Sequence, residues 1–179
     1  MLYIECLKAK IRGTINLKKL IKDGLKVGNN FNVQEGVIID QGHCWLIEIG
    51  DNVTLAPRVH ILAHDASMKK ILGVTKIAPV SIGNNVFIGA GSIVLPGCVI
   101  DDNTIIGAGS VVTHSLLGGG VFVGNPAKKI YEFDEWVEKE KMNISKKHNF
   151  DESYKIDNIS IIKKDEMKRI VSNSDAYII

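Results

Sequence analysis

The stretch Ile82–Val111 constrains the fold more than any other part of the chain. It divides into five consecutive blocks of six: IGNNVF, IGAGSI, VLPGCV, IDDNTI and IGAGSV. Each block opens on an aliphatic residue: Ile82, Ile88, Val94, Ile100 and Ile106. A small or aliphatic residue recurs four places later, at Val86, Ser92, Cys98, Thr104 and Ser110. An amphipathic helix repeats about every 3.6 residues and a half-buried strand every 2, so neither generates this register. A fixed period of six fits a parallel β-helix, in which a block supplies one short strand and a corner, and three blocks make a coil. Openers from successive coils then stack inside, while Gly, Asn and Asp at the corners accept left-handed backbone angles.

The register starts at Val27 with VGNNFN, VQEGVI and IDQGHC. It slips at Trp45–Glu48, which predicts a bulge or insertion at one corner, and resumes at Ile49 with IGDNVT, LAPRVH and ILAHDA. Residues 65–79 carry no hexad and form an excursion between two coils. Long loops in compact repeats are often functional. After Val112 the segment THSLLGGG loosens the register and VFVGNPAKKI closes the solenoid, with Pro126 ending strand pairing. The predicted architecture is therefore an all-β solenoid over 27–130 with a loop at 65–79, a basic cap segment at 1–26 and a mostly helical tail at 131–179. In the cap, Asn16 is placed to cap a short helix with Gly24 just past its end and Leu17, Leu20 and Ile21 as its apolar face. In the tail, one helix is expected to start near Asp134. A short extended piece should precede a second helix that ends before Ser172.

Hydrophobic residues make up 45% of the chain but aromatics only 6%, which suits a core of stacked aliphatics. A net charge of +2 with an ordinary number of charged residues gives no reason to expect nucleic acid or an anionic membrane as partner. Cys6, Cys44 and Cys98 show no CxxC or Cys/His spacing, so neither a disulfide framework nor a metal site is expected. Cys98 reads as a small core residue. No leader and no apolar run near the roughly 20 residues of a membrane span is visible, and a cytoplasmic protein is expected.

Chemistry should sit where the regularity breaks. His64 ends the last block before the excursion, and an imidazole at such a corner can take a proton near neutral pH. Asp65 and Asp40 are the candidate acids to orient it, and His43 is a candidate for the same groove. His60 is four residues from His64, a separation that does not share a face on a six-residue repeat. Gly89-Ala90-Gly91 and Gly107-Ala108-Gly109 are one coil apart and stack. Their small side chains leave backbone groups open for an extended ligand arm. Lys128 and Lys129 stand beyond this track, where phosphates could be met.

These motifs, with NVTLAPRVHILAHDAS, VSIGNNVFIGAGSIVLPGCVI, IIGAGSVVTHS and GNPAK, resemble the hexapeptide-repeat acyltransferases, in particular the sugar and surface-polysaccharide O-acetyltransferases. The resemblance implies a left-handed coil, whereas the usual preference of parallel connections is right-handed. It implies acetyl-CoA as co-substrate, no metal, and direct transfer to a sugar or polysaccharide hydroxyl. His64 matches the general base and the backbone N–H of Ala90 the oxyanion donor. Phe87, Ala90, Ala108, Thr113 and Lys128 match the CoA side, and Gln34, Asp40, His43 and Asp65 the acceptor side. A homotrimer with sites between subunits is further implied. Phe87 stands where related enzymes often carry Trp, and His114 where several carry Lys. N-acetylation of an amino sugar nucleotide is the neighbouring alternative. A γ-type carbonic anhydrase is disfavoured, because no further histidine is expected one coil from His64.

Overall fold

A computed structural model describes residues 15–157 and 159–179. Cys6 and the basic residues before position 15 lie outside the described residues. The chain divides into two compact units after Phe133.

In the first unit three parallel sheets form the three faces of a prism. The first face stacks Lys26–Val27, Ile47–Ile49, Val80–Ile82 and Val99–Ile100. The second stacks Asn32–Val33, Thr54–Leu55, Phe87–Ile88, Thr104–Ile106 and Gly120–Val123, and the third Ile38–Ile39, His60–Ile61, Ile93–Val94 and Val111–Val112. Partners such as Ile88 and Ile106, or Val94 and Val112, are 18 residues apart, one regular coil. Val27 instead pairs with Ile49, so that coil holds 22 residues, four more than 18. The extra residues include a 3-10 turn, Cys44–Leu46, and account for the slip at Trp45–Glu48. Leu55 pairs with Ile88 across 33 residues, which places fifteen extra residues in the excursion.

The openers fill the interior. Leu55, Ile61, Ile88, Val94, Ile106 and Val112 are fully buried, each worth about 1.5–3 kcal/mol of hydrophobic burial. The residues four places on are buried too: Val86, Ser92, Cys98, Thr104 and Ser110. Their hydroxyls are satisfied, as burial requires. Ser92 Oγ donates to Gly107 O at 3.0 Å, Gly124 N donates to Ser110 Oγ at 3.0 Å, and Thr104 Oγ1 donates to Asp101 O at 2.7 Å.

The edge between first and second faces is an asparagine ladder. Asn30, Asn52, Asn85 and Asn103 all have φ between 54° and 56°. Each carboxamide donates to the next: Asn30 to Asn52 at 2.9 Å, Asn52 to Asn85 at 3.0 Å and Asn85 to Asn103 at 3.0 Å. Asparagine tolerates this left-handed geometry better than other side chains, and the ladder repays the backbone cost along the edge.

Helix α1 (Leu17–Lys22) covers the first coil, with Asn16 Oδ1 accepting from Lys19 N at 3.1 Å. Leu20 is buried, but Ile21 is 45% exposed and does not belong to the apolar face expected for it. At the other end Pro126 does not end strand pairing. The chain turns there, and Lys128–Tyr131 pairs antiparallel with Gly120–Val123. The excursion is also more ordered than its lack of hexads suggests. His64–Asp65 pairs antiparallel with Lys76–Ile77, with helix α2 (Lys69–Leu72) between them.

The second unit contains helix α3 (Phe133–Lys146), which starts at its boundary, and helix α4 (Ile161–Ile170), capped by Ser160. A parallel pairing of Asn149–Phe150 with Tyr177–Ile178 buries Phe150 against Tyr154, ring centroids 4.8 Å apart. Nothing in the sequence pattern signalled that pairing. No helix among the described residues is long and apolar enough to cross a membrane.

Candidate active site

The edge between third and first faces holds both irregular corners, and the titratable groups meet there. His64 follows the buried pair Ile61 and Ala63 and begins the excursion hairpin. Asp40 leaves the third face one coil earlier. Its side chain is 1% exposed, and its carboxylate receives four hydrogen bonds. Oδ1 accepts from Gly42 N at 3.0 Å and His43 N at 3.1 Å. Oδ2 accepts from Ala63 N at 3.0 Å and meets Nδ1 of His64. Burial pushes the Asp40 carboxyl upward in pKa. The hydrogen bonds from His64 and the Ala63 N–H outweigh it and hold the group below the ordinary carboxylate value.

An ionised, acceptor-only carboxylate at Nδ1 fixes the imidazole with its proton on that atom. Nε2 is then left with its lone pair free. The His64 side chain is 39% exposed and lines a 390 Å³ cavity with Leu62, Asp65, Lys76, Pro96 and Thr113. Such a histidine can accept a proton from a group bound in that cavity.

His43 stands beside it, ring centroids 5.0 Å apart, and also against Trp45 at 5.5 Å. Its Nδ1 is buried without a hydrogen-bond partner among the described residues and lies 3.7 Å from Asp40 Oδ1. This corrects the expectation that no further histidine lies one coil from His64. The four-residue insertion carries His43 out of the hexad register and round to the same corner. Donor atoms of Asp40, His43 and His64 lie within 4.8 Å of one another, close enough to share a metal ion. His60 is elsewhere, paired between Ile38 and Ile93 on the third face.

The other predicted residues separate from this group. Asp40 was expected both as an acid to orient His64 and on the acceptor side; its contact with His64 fits the first, and its burial and four bonds leave no free surface for the second. Asp65 lines the cavity, with Oδ1 accepting from Ser67 N at 2.8 Å. Ala90, Ala108 and Gln34 lie on a different edge, between second and third faces. There Gly36, Gly91 and Gly109 share φ of 70–74°. Gly109 N donates to Ala90 O at 2.8 Å, so the two Gly-Ala-Gly corners do stack. The N–H groups of Ala90 and Ala108 have no hydrogen-bond partner among the described residues. A Cβ on Gly89 would lie 2.5 Å from Ala108 N, so glycine is required for the close stacking. Gln34 is exposed and donates to Asn32 Oδ1 at 2.9 Å. Phe87 is 45% exposed on the second face, and Lys128 is exposed on its final strand. Thr113 belongs to the His64 edge, not to the Gly-Ala-Gly track, and its Oγ1 lies 3.1 Å from His114 Nδ1.

Lys76, Leu62 and Pro96 were not anticipated in the cavity. Lys76 arrives there only because the excursion folds back as a hairpin, which no periodicity announces.

Comparison with known proteins agrees with this geometry. The bacterial transferase hexapeptide (six repeats) family matches residues 79–114. Protein CapG of Staphylococcus aureus is 38% identical over 143 residues, covering 75% of this chain and 82% of CapG. A maltose O-acetyltransferase from Clostridium difficile 630 is 32% identical with a TM-score of 0.54, covering 73% of this chain and 84% of that one. A galactoside acetyltransferase in complex with coenzyme A is 28% identical with a TM-score of 0.55, covering 76% and 82%. The hexapeptide model on residues 79–114 and the identity to CapG over most of both chains show that this chain belongs to the hexapeptide-repeat acetyltransferases, and its β-helix is accordingly left-handed.

Proposed function

We propose that the protein transfers acetyl from acetyl-CoA to a hydroxyl of a sugar or a polysaccharide precursor, with His64 as general base. The observation that carries this reading is the His64 Nδ1–Asp40 contact, which leaves Nε2 free in the cavity. The acceptor hydroxyl gives its proton to Nε2 as its oxygen attacks the thioester carbonyl carbon. The C–S bond then breaks, and the imidazolium returns the proton to the departing thiolate. Asp40 stays ionised throughout and stabilises the imidazolium. The free N–H of Ala90 is a suitable donor for the negative oxygen of the tetrahedral species. The stacked N–H groups of Ala90 and Ala108 offer a track for the amide-bearing pantetheine arm, Phe87 an apolar wall, and Lys128 a cation for phosphate. A protein drawing on acetyl-CoA belongs in the cytoplasm.

A homotrimer is part of the proposal. Within one chain the His64 edge and the Ala90 edge are different edges of a prism whose interior is filled by Ile, Leu and Val. Abutting subunits would bring one edge of each kind together, and three sites would result. The excursion supports such contact, since Ile71, Leu72 and Val74 are 75%, 63% and 55% exposed.

The test is a screen with radiolabelled acetyl-CoA against sugars, nucleotide sugars and glycan fragments, run beside His64→Ala. The expected result is transfer to a hydroxyl that falls by at least about 100-fold in the variant. Undiminished transfer removes His64 from the chemistry, and absence of CoA binding by calorimetry removes the cofactor.

A further inference from the structure

The edge that carries Ala90 has one irregular position. Four coils place a left-handed residue at this corner. Three of them use glycine: Gly36, Gly91 and Gly109. The second coil uses Arg58, with φ 62°. A side chain rarely adopts this conformation, and glycine at the equivalent corners shows what the backbone prefers. Arg58 makes no ion pair and no side-chain hydrogen bond among the described residues, so no internal contact accounts for it. The side chain is exposed, and its stem leans over Gly36, where a Cβ would approach Arg58 Cγ to 3.2 Å. Glu35, Gly36, Pro57, Arg58, Ala90 and Gly91 together line a 630 Å³ concavity. Arg58 and Glu35 are the charged groups of that concavity, and they are not ion-paired to each other.

The order of groups along this edge gives Arg58 a role. Ala108 is one coil beyond Ala90, and Lys128 lies on the strand that closes the same end. A pantetheine arm laid along the free N–H groups, with its phosphates towards Lys128, presents its thioester at Ala90. Arg58 is one coil to the other side of Ala90, about 4.8 Å away along the axis. In that pose Arg58 stands beside the thioester, on the side of Ala90 that the arm leaves open to an acceptor. An unpartnered guanidinium there matches a carboxylate or phosphate in the planar, two-pronged manner that favours arginine.

We infer that Arg58 is a specificity-determining residue and that the acceptor is an anionic sugar, bearing a carboxylate or phosphate close to the acetylated hydroxyl. The inference rests on the acetyltransferase reading above, and Glu35 is placed to accept hydrogen bonds from ring hydroxyls of the same acceptor.

The experiment uses the full chain and matched acceptors: a neutral glycoside, the corresponding uronate, and the corresponding sugar phosphate. Arg58→Gly is the decisive variant, because glycine already occupies three equivalent corners and the fold should tolerate it. The wild type should acetylate one anionic acceptor with kcat/KM at least about 10-fold above its neutral counterpart. Arg58→Gly should remove that preference, chiefly through KM, while neutral acceptors and CoA affinity stay unchanged. Arg58→Lys should recover part of it. The uronate and phosphate arms identify which anion is read. A preference for neutral acceptors, or an anionic preference that survives Arg58→Gly, overturns the inference and leaves the acetyltransferase reading standing. A rise in the CoA dissociation constant with unchanged acceptor selectivity also overturns it, since Arg58 would then serve the cofactor phosphates. Loss of CoA binding in the wild type instead overturns the acetyltransferase reading itself.

Discussion

Replacing Asp40 with asparagine tests the centre of the proposed mechanism without changing the size of the side chain. The carboxylate is met by four donors, two on each oxygen. Asparagine can satisfy the pair at Oδ1, from Gly42 and His43, by placing its carbonyl there. Its NH2 then faces the Ala63 N–H, which is left without an acceptor, and donates to His64 Nδ1. The imidazole is driven to the opposite tautomer, with the proton on Nε2, and can no longer act as a base. By analogy with the same change behind a triad histidine, kcat should fall by about 10²–10⁴. One buried N–H unsatisfied and one charge-assisted bond lost should together destabilise the fold by about 2–4 kcal/mol. That is a drop in Tm of roughly 5–15 °C for a chain of this size. Affinity for CoA should not change, because Ala90 and Ala108 are on another edge. Thiol release from acetyl-CoA reads kcat, a urea titration reads stability, and calorimetry reads CoA affinity. In a His64→Ala background Asp40→Asn should have no further effect on kcat. If it slows that variant as much as the wild type, Asp40 acts through something other than His64 and the reasoning fails.

Further outcomes follow from the same geometry. The folded-state pKa of Asp40 is depressed below 3.8, so the stability it contributes is present above that value and lost as pH falls through and below it. A thermal-melt series should therefore decline below about pH 4, and less steeply in Asp40→Asn. Asn85→Ala breaks two rungs of the ladder and leaves alanine at φ 55°, and should cost about 2–3 kcal/mol in urea unfolding. Treatment with a chelator should leave kcat/KM unchanged. Activity lost on chelation and restored by zinc would make Asp40, His43 and His64 a metal centre and withdraw the base role from His64. Mixing unfolded His64→Ala and Ala108→Trp chains and refolding them together should restore about a quarter of wild-type activity, the statistical share of interfaces that join an intact histidine edge to an intact Ala108 edge. No recovery would mean that each chain builds its site alone.

The solenoid was legible in the sequence because its physics is periodic. One coil stacked on the next repeats the same burial, the same corner torsion and the same hydrogen bond, so residues 18 apart face identical surroundings. Openers, buried hydroxyls and corner asparagines are all read from that one number. The edge of Ala90 and Ala108 obeys the same rule, and Arg58 is visible on it once the hexads are aligned and one glycine is found missing.

The candidate catalytic corner was less legible, because it exists where periodicity fails. Asp40 and His64 are 24 residues apart, which is the 22 residues of this enlarged coil plus two more, a spacing that no period of 18 announces. The same turn brings His43 beside them. Lys76 reaches the cavity through a hairpin whose sequence carries no alternation strong enough to announce it. Insertions are tolerated at this edge for a physical reason: a corner can bulge outward without disturbing the stacked openers, whereas a strand cannot gain a residue without turning its side chains over. The two kinds of edge therefore divide the work. The regular edge keeps backbone N–H groups in fixed spacing, which suits an extended ligand common to every turnover. The irregular edge is free to vary in loop and side chain, which suits the base. In the proposed mechanism a second chain would join them, since the filled core keeps the edges of one prism apart.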